Sequence, residues 1–134
     1  MTETEAAAFV EAFTAAWRSR DPASFEALWH PDGILRWPFS DRPIAGSEIG
    51  RLNALLAAQA PDLVWTLLGW TWRGDVVVVE WENSRGAGNA RVVWRGADKF
   101  TLRQGRIAEE IVYADTAPLR AMRSGAALEP MVRL

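Results

Sequence analysis

The sequence contains no cysteine, and histidine and tyrosine occur only once each, as His30 and Tyr113. The absence of cysteine excludes disulfides, thiolate metal sites and cysteine nucleophiles, and one histidine excludes a multi-histidine metal centre within the chain. No apolar run approaches the roughly 20 residues of a membrane span, and the acidic N-terminal segment lacks the features of a signal peptide. A net charge of −2 gives no reason to expect nucleic acid or an anionic membrane as a partner. We therefore expect a cytoplasmic protein without a metal or cofactor.

Tryptophan, in contrast, is abundant: the chain of 134 residues contains eight. They are Trp17, Trp29, Trp37, Trp65, Trp70, Trp72, Trp81 and Trp94. Aromatic side chains dominate the energetics of cores and interfaces, so core filling and a subunit interface account for any one of them. The alternative is an aromatic-lined cavity for a flat hydrophobic ligand.

The length suits a single domain over 1–134, with its core at about 5–120 and a C-terminal tail at 124–134. The helical spacing of apolar residues predicts a helix over 3–19, which begins with a capping box of Thr2 and Glu5. Asp21 begins a second, short helix, whose apolar side includes Trp29, and Ser47 begins a third. A brief strand over 34–37 separates these two helices, and a last short helix is predicted over 117–123.

The second half of the chain changes to period two, which predicts strands over 62–72, 75–84, 90–103 and 106–114. The connections between them are short enough for hairpins, so we expect an α+β fold with an antiparallel sheet and three helices. Several strands are apolar on both faces, as in Val76 to Val79. One face would then cover the helices and the other a second subunit, which predicts a homodimer through the outer sheet face.

Seven short segments follow one another in a distinctive order. They are Phe13-Thr-Ala-Ala-Trp17, Asp21-Pro-Ala-Ser-Phe25, Ala27-Leu-Trp-His-Pro-Asp-Gly-Ile34, Ile44-Ala-Gly46, Gly96-Ala-Asp-Lys-Phe100, Gln104-Gly-Arg-Ile107 and Tyr113-Ala-Asp115. With the order of elements, they make residues 5–120 resemble the nuclear transport factor 2-like superfamily, and within it the SnoaL-like polyketide cyclase and ketosteroid isomerase-like group. The resemblance implies a cone-shaped sheet closed by helices, a cystatin-like roll, with a pocket for a small hydrophobic molecule. This fold hosts isomerases, cyclases, hydrolases and binding modules.

Asp98 is a carboxylate on an otherwise apolar strand face, which it shares with Trp94 and Phe100 by period two. Burial without a cationic partner raises the pKa of a carboxyl, and the neutral acid can donate a hydrogen bond to a carbonyl or enolate. The resemblance implies this role, because Asp98 matches the protonated oxyanion-hole aspartate of ketosteroid isomerase-like enzymes. The alternative is a structural aspartate that is bonded to the backbone or paired with an arginine.

Two other positions depart from the isomerase pattern, because the general-base aspartate corresponds to Trp37 and the oxyanion tyrosine to Phe13. Neither can transfer a proton. In SnoaL-like cyclases an aspartate near the end of the last strand acts as acid and base, so the resemblance suggests Asp115, although Asp115 also suits a helix N-cap. Glu109 and Tyr113 share the strand face of Asp115. Glu109 could pair with Asp98 or face solvent, and Tyr113 could provide a pocket hydroxyl or pack in the core.

These observations favour cofactor-independent acid–base chemistry of the cyclase or isomerase type on a small hydrophobic carbonyl compound. Asp98 and Asp115 are the catalytic candidates. The substrate-binding candidates are Phe13, Trp17, Trp37, Phe39, Trp94, Glu109 and Tyr113. The first alternative is a non-catalytic ligand-binding or dimerisation module. The second is an epoxide hydrolase of the limonene epoxide hydrolase type, but its Arg-x-Asp motif is missing here, because Arg95 lies three residues before Asp98 and on the opposite face.

Overall fold

Helices and strands alternate in the first half of the computed structural model, which describes residues 1–128 and 131–133. The helices of this described part are α1 (Glu3–Ser19), α2 (Pro22–Glu26), α3 (Ile49–Gln59) and α4 (Ala117–Ser124). The strands are β1 (Trp29–Arg36), β2 (Ile44–Ala45), β3 (Val64–Arg73), β4 (Val76–Arg85), β5 (Val92–Arg103) and β6 (Arg106–Ala114). The tail predicted for 124–134 falls partly outside the described residues. None of the described helices is long and apolar enough to cross a membrane.

The predicted first helix is confirmed as α1, including its capping box. The Thr2 hydroxyl accepts a hydrogen bond from the Glu5 backbone N–H at 3.2 Å, and the Thr2 N–H donates to the Glu5 carboxylate at 2.7 Å. Two otherwise unpaired backbone donors are thereby satisfied at the start of the helix. The buried side of α1 includes Phe9, Val10 and Phe13, which turns the helix toward the sheet.

The six strands form one sheet in the order β2-β1-β6-β5-β4-β3. The predicted meander of β3 to β6 is antiparallel throughout, as short connections require. The sheet also contains one parallel pair that the sequence did not predict, because β1 returns alongside β6. This pairing begins at Trp29, which we had assigned to the second helix. The Ile107 N–H donates to the Leu28 carbonyl at 2.8 Å, and the chain is therefore already in the sheet there.

The third helix begins later than Ser47. Residues Gly46–Glu48 form a single 3₁₀ turn, and the Glu48 carboxylate accepts a hydrogen bond from the Ala45 N–H at 2.9 Å. Ser47 is therefore not the N-cap of α3; the residue at that position is Glu48, which makes no side-chain cap to the helix and instead bonds the start of the 3₁₀ turn. The α-helix then runs from Ile49, whose side chain is buried.

The core lies between α1 and the inner face of the sheet. Phe100 of β5 is completely buried and makes edge-to-face contacts with Phe9 and Phe13, at ring-centroid distances of 5.0 and 4.9 Å. Such pairs contribute about 0.5–1.5 kcal/mol each beyond the area that they bury. Val77 and Val79 of β4 are also fully buried. Helix α1 is therefore held against the middle of the sheet by aromatic packing.

A bulge in β6 changes which residues face this core. Leu102 pairs with Ile107, but Thr101 pairs with Glu109, so that Ala108 is an extra residue in the strand. Because side chains alternate between the two faces of a strand, one extra residue reverses the facing of everything after it. Ile107 and Glu110 are consequently both buried, although their spacing of three would place them on opposite faces of a regular strand.

Candidate active site

A cavity of about 240 Å³ lies between the inner face of the sheet and the helices. Nine of the residues that line it are aromatic: Phe13, Trp17, Phe25, Trp29, Trp37, Phe39, Trp65, Trp81 and Trp94. An apolar cavity of about 150 Å³ holds one benzene molecule. A ligand of about two fused rings therefore suits this cavity, and the flat indole faces suit flat rings.

Six of the residues predicted for the site lie at this cavity. They are Phe13, Trp17, Trp37, Phe39, Trp94 and Asp98. Trp17 of α1 stacks on Trp65 of β3 at 5.8 Å and an interplanar angle of 6°. Trp37 and Phe39 form an edge-to-face pair at 5.0 Å in the loop after β1, and Phe39 is 42% exposed. We identify this loop as one side of the cavity mouth.

Asp98 projects from the middle of β5 into this apolar surface and is only 4% exposed. Its carboxylate accepts a hydrogen bond from the indole Nε1–H of Trp81 at 2.8 Å. Gly96 makes this contact possible, because a Cβ atom there would lie 2.5 Å from both the Trp81 ring and the Tyr113 carbonyl oxygen. A glycine inside a strand thus allows a large ring to lie close to the backbone and reach the acid.

Glu110 is a second buried acid at the cavity, and the sequence analysis missed it. Its side chain is 7% exposed, lines the cavity and hydrogen-bonds Asp98. The bulge at Ala108 turns Glu110 inward. No local signal predicts that bulge, because in the run Ile107-Ala-Glu-Glu-Ile-Val112 either glutamate can be placed inward by period two.

Burial raises the pKa values of both acids. Desolvation raises the pKa of Asp98 to about 7, although the hydrogen bonds from Trp81 and Glu110 stabilise its anion and oppose the shift. Desolvation also raises the pKa of Glu110 well above its ordinary value, and the charge of Asp98 and their shared hydrogen bond raise it further. Burial and the mutual repulsion of the two carboxylates therefore favour a state in which the pair retains a proton, and the two acids titrate together.

Among the described residues, no arginine neutralises this pair. The nearest arginine in sequence, Arg95, lies on the outer face of β5 and bonds the Glu82 carboxylate at 2.9 Å. This placement agrees with the opposite facing that we predicted for Arg95 and Asp98. The described residues also contain no group of three acids or histidines that could hold a metal ion.

Glu109 and Tyr113 do not line the cavity, so neither is a substrate-binding residue there; for Glu109 the structure agrees with the alternative of facing solvent. Glu109 lies on the other face of β6 and pairs with Arg36 at 3.0 Å. Tyr113 is 59% exposed. Both had been placed by strict alternation from Ile107, and the extra residue in β6 reverses their facing.

Asp115 also lies away from the cavity, at the protein surface between β6 and α4. Its carboxylate accepts a hydrogen bond from the Ala117 N–H at 3.1 Å, at the first residue of α4. Its own N–H donates to the Arg95 carbonyl at 2.9 Å. Asp115 therefore contacts the first turn of α4 from the position before the N-cap, which is Thr116, so the N-cap role that the sequence had left open for Asp115 falls one residue later.

Comparison with known proteins identifies the family of the chain. The model of the SnoaL-like domain matches residues 10–110. AclR, a proposed hydroxylase from Streptomyces galilaeus, is similar in structure at 18% identity and a TM-score of 0.78, over 97% of this chain and 87% of AclR. A proposed SnoaL-like polyketide cyclase from Jannaschia sp. CCS1 is 19% identical, with a TM-score of 0.76 over 93% of this chain and 95% of its own.

A third similar structure is a protein from Catenulispora acidiphila with a ketosteroid isomerase-like fold, in complex with trimethylamine. It is 20% identical, with a TM-score of 0.75 over 91% of this chain and 97% of its own. No curated protein matches the chain in sequence. Similarity at these identities establishes a common fold. Because the family model covers most of the sequence, the chain belongs to the SnoaL-like domain family.

Proposed function

We propose that this protein performs cofactor-independent acid–base chemistry, of the cyclase or isomerase type, on a small hydrophobic carbonyl compound. The observation that carries the proposal is the pair of buried acids, Asp98 and Glu110, at the wall of an aromatic cavity. A general base works best when its pKa lies near the working pH, and the pKa of Asp98 is raised to about 7. Membership of the SnoaL-like family supports the same class of chemistry.

The two acids have different roles in this proposal. Trp81 donates a hydrogen bond to Asp98, so Asp98 carries the negative charge of the pair and Glu110 keeps the proton. Asp98 removes a proton from the carbon next to the substrate carbonyl, and the C–H electrons move into a new C=C bond. The carbonyl oxygen becomes an enolate. Asp98 is now protonated and no longer an anion, so the single O–H of neutral Glu110 is released from it and donates to the enolate oxygen. Asp98 then returns its proton to the same or another carbon, which leaves the pair unchanged.

This assignment replaces Asp115 as the base, because its carboxylate contacts the first turn of α4 rather than the cavity. It also changes the role of Asp98, for which the sequence analysis favoured a neutral hydrogen-bond donor. Glu110 supplies the neutral donor here. Epoxide hydrolysis has less support, because Arg95 bonds Glu82 on the outer face and is not available to bridge two acids.

The experiment is a turnover assay on a panel of bicyclic ketones and aromatic polyketides, with Asp98→Asn, Glu110→Gln and, as the matched control, Asp115→Asn. General acid–base residues contribute about 10²–10⁴-fold, so we expect rates to fall by at least about 10²-fold in the first two variants. Asp115→Asn should retain the wild-type rate. The pH–rate profile should be bell-shaped, rising near pH 7 as Asp98 loses its proton and falling at higher pH as Glu110 does. Equal losses in all three variants contradict the assignment.

A non-catalytic binding module is the second candidate function. It is favoured by Phe13 and Trp37, which line the cavity at the positions where the resemblance places the oxyanion tyrosine and the general base of the isomerases. Binding of the same ketones, without turnover and with equal affinity in Asp98→Asn, would support this candidate.

A further inference from the structure

Two polar residues, Asn83 and Arg85, continue the inner face of β4 beyond the acid pair. They follow Trp81 at intervals of two, so all three side chains belong to the same strand face, and all three line the cavity. At a rise of about 3.3 Å per residue, the backbone of Arg85 lies about 13 Å from that of Trp81. The cavity therefore has an acidic region, where Trp81 bonds Asp98, and a second polar region further along the same strand.

Asn83 is nine-tenths buried, yet its amide is incompletely bonded. Its side chain is 8% exposed and pairs in register with Trp65 on one side and Trp94 on the other. Within the described part of the chain, the buried Oδ1 atom has no hydrogen-bond partner. A buried amide without a partner destabilises the folded protein, and apolar neighbours give no structural reason for an asparagine here. A polar ligand group provides such a reason.

Arg85 is held at the cavity with part of its guanidinium uncommitted. Its Nε–H donates to the Asp62 carboxylate at 3.4 Å, and its Nη2 lies 3.3 Å from the same carboxylate and donates to the Gln59 carbonyl at 3.3 Å. No described residue bonds Nη1. The Asp62 carboxylate also accepts the Gly86 N–H at 2.8 Å, which is the main cause of its lowered pKa. Asp62 therefore orients Arg85 through long contacts and leaves donors of the guanidinium available.

We propose that Asn83 and Arg85 form a second ligand subsite, which binds a carboxylate or another anionic oxygen. The Nη1–H groups of a guanidinium form charge-assisted hydrogen bonds with a carboxylate oxygen, and this attraction strengthens where water is partly excluded. The negative charge of the acid pair disfavours an anion at its own end of the cavity, so an acidic ligand binds in one orientation. On the basis of the proposed function, the substrate is then a hydrophobic ring compound with an acidic group at one end and an enolisable carbonyl at the other.

The test uses two ligands that share their rings and differ in charge, 2-naphthoate and its methyl ester. Isothermal titration calorimetry at pH 7.5 should show that the wild-type protein binds 2-naphthoate at least tenfold more tightly than the ester. Arg85→Met should lower the affinity for 2-naphthoate at least tenfold and leave that for the ester unchanged, and Arg85→Lys should be intermediate. Asn83→Leu should weaken 2-naphthoate binding more than ester binding. Arg95→Met, which removes an arginine from the outer face, is the matched control and should bind both ligands as the wild type does.

Three results would overturn the subsite. They are no binding of 2-naphthoate, equal affinity of the wild type for the two ligands, or equal weakening of both in Arg85→Met. The first two need no variant and so do not depend on how Arg85→Met folds. The experiments also distinguish failure of the subsite proposal from failure of the acid–base proposal. Charge-dependent binding through Arg85 without any turnover leaves the subsite standing alone, and turnover that depends on Asp98 but not on ligand charge leaves only the acid–base chemistry.

Discussion

The Asp98 carboxyl is almost completely shielded from solvent, and this environment raises its pKa. Its pKa is raised to about 7 chiefly by burial, and the hydrogen bond from Trp81 only partly offsets that effect. A surface aspartate such as Asp115 shares the residue type but not the environment. The pKa of Asp98 is therefore set by burial, which raises it, and by hydrogen bonds from Trp81 and Glu110, which come from different strands and oppose the shift.

The raised pKa of Asp98 also predicts how stability depends on pH. Between about pH 4 and pH 7 the native state holds a proton that the unfolded state has released, so the free energy of unfolding falls as the pH rises. The slope approaches about 1.4 kcal/mol per pH unit for one group. Asp98→Asn keeps the shape of the side chain but cannot ionise. Its free energy of unfolding should therefore match that of the wild type at pH 4 and exceed it at pH 7. Urea unfolding across this range measures the difference, and parallel pH curves for the two proteins would contradict the prediction.

Gly96 provides a second prediction, because its missing side chain leaves room for the Trp81 ring. In Gly96→Ala the new methyl group would meet this ring and the Tyr113 carbonyl oxygen, each at 2.5 Å. Overpacking of this kind costs about 1–3 kcal/mol, and it should also displace the indole from Asp98. Gly69→Ala is the matched control in β3, because a Cβ there meets nothing within 4 Å. Denaturant unfolding and near-ultraviolet circular dichroism should change only in Gly96→Ala.

At the scale of the elements, the bulge at Ala108 decides which glutamate enters the cavity. Because of the bulge, the two neighbouring glutamates face opposite sides of the sheet. Glu109 forms a surface ion pair with Arg36, and Glu110 is buried beside Asp98. Strand alternation is reliable only while pairing stays regular, and one extra residue reverses it. The sequence predicted β6 at its correct bounds, 106–114, but it offered Glu109 as the possible partner of Asp98 and did not consider Glu110.

This facing is tested by alanine substitution of each glutamate. At pH 5 Glu110→Ala removes a buried hydrogen-bond partner of Asp98 and leaves a cavity, so it should lower the free energy of unfolding by about 1–3 kcal/mol. Glu109→Ala removes only the exposed pair with Arg36, and such pairs contribute about 0–1 kcal/mol. Thermal and urea unfolding compare the two variants. A larger loss in Glu109→Ala would mean that β6 lacks the bulge.

At the scale of the whole molecule, the outer face of the sheet remains the proposed dimer interface. Val78 of β4 and Ile111 of β6 are half-buried on this face, and Tyr113 is exposed there. Val78 pairs with Lys99, which in turn pairs with Ile111, so the apolar residues are interrupted by charge. Stable interfaces generally bury about 1,200–2,000 Å² in total. A dimer through this face would therefore have to bury a large part of it on each subunit.

Light scattering after size-exclusion chromatography tests the dimer. We expect a mass of about twice the 14.9 kDa of one chain at micromolar concentration. Val78→Lys should give monomers, because it places a charge in the proposed interface. Leu55→Lys, at an exposed position of α3, should remain dimeric. A wild-type protein of monomer mass would contradict the prediction.

The sequence by itself determined the α+β class, the helix α1 with its cap, and the antiparallel meander. These features depend on local periodicity and on short connections, which neighbouring residues specify. It also identified Asp98 as an acid on an apolar strand face. Only the tertiary structure decided that Glu110, and not Glu109 or Asp115, lies beside it. That outcome depends on pairing between β5 and β6, where one unpaired residue turns a side chain from water to the core.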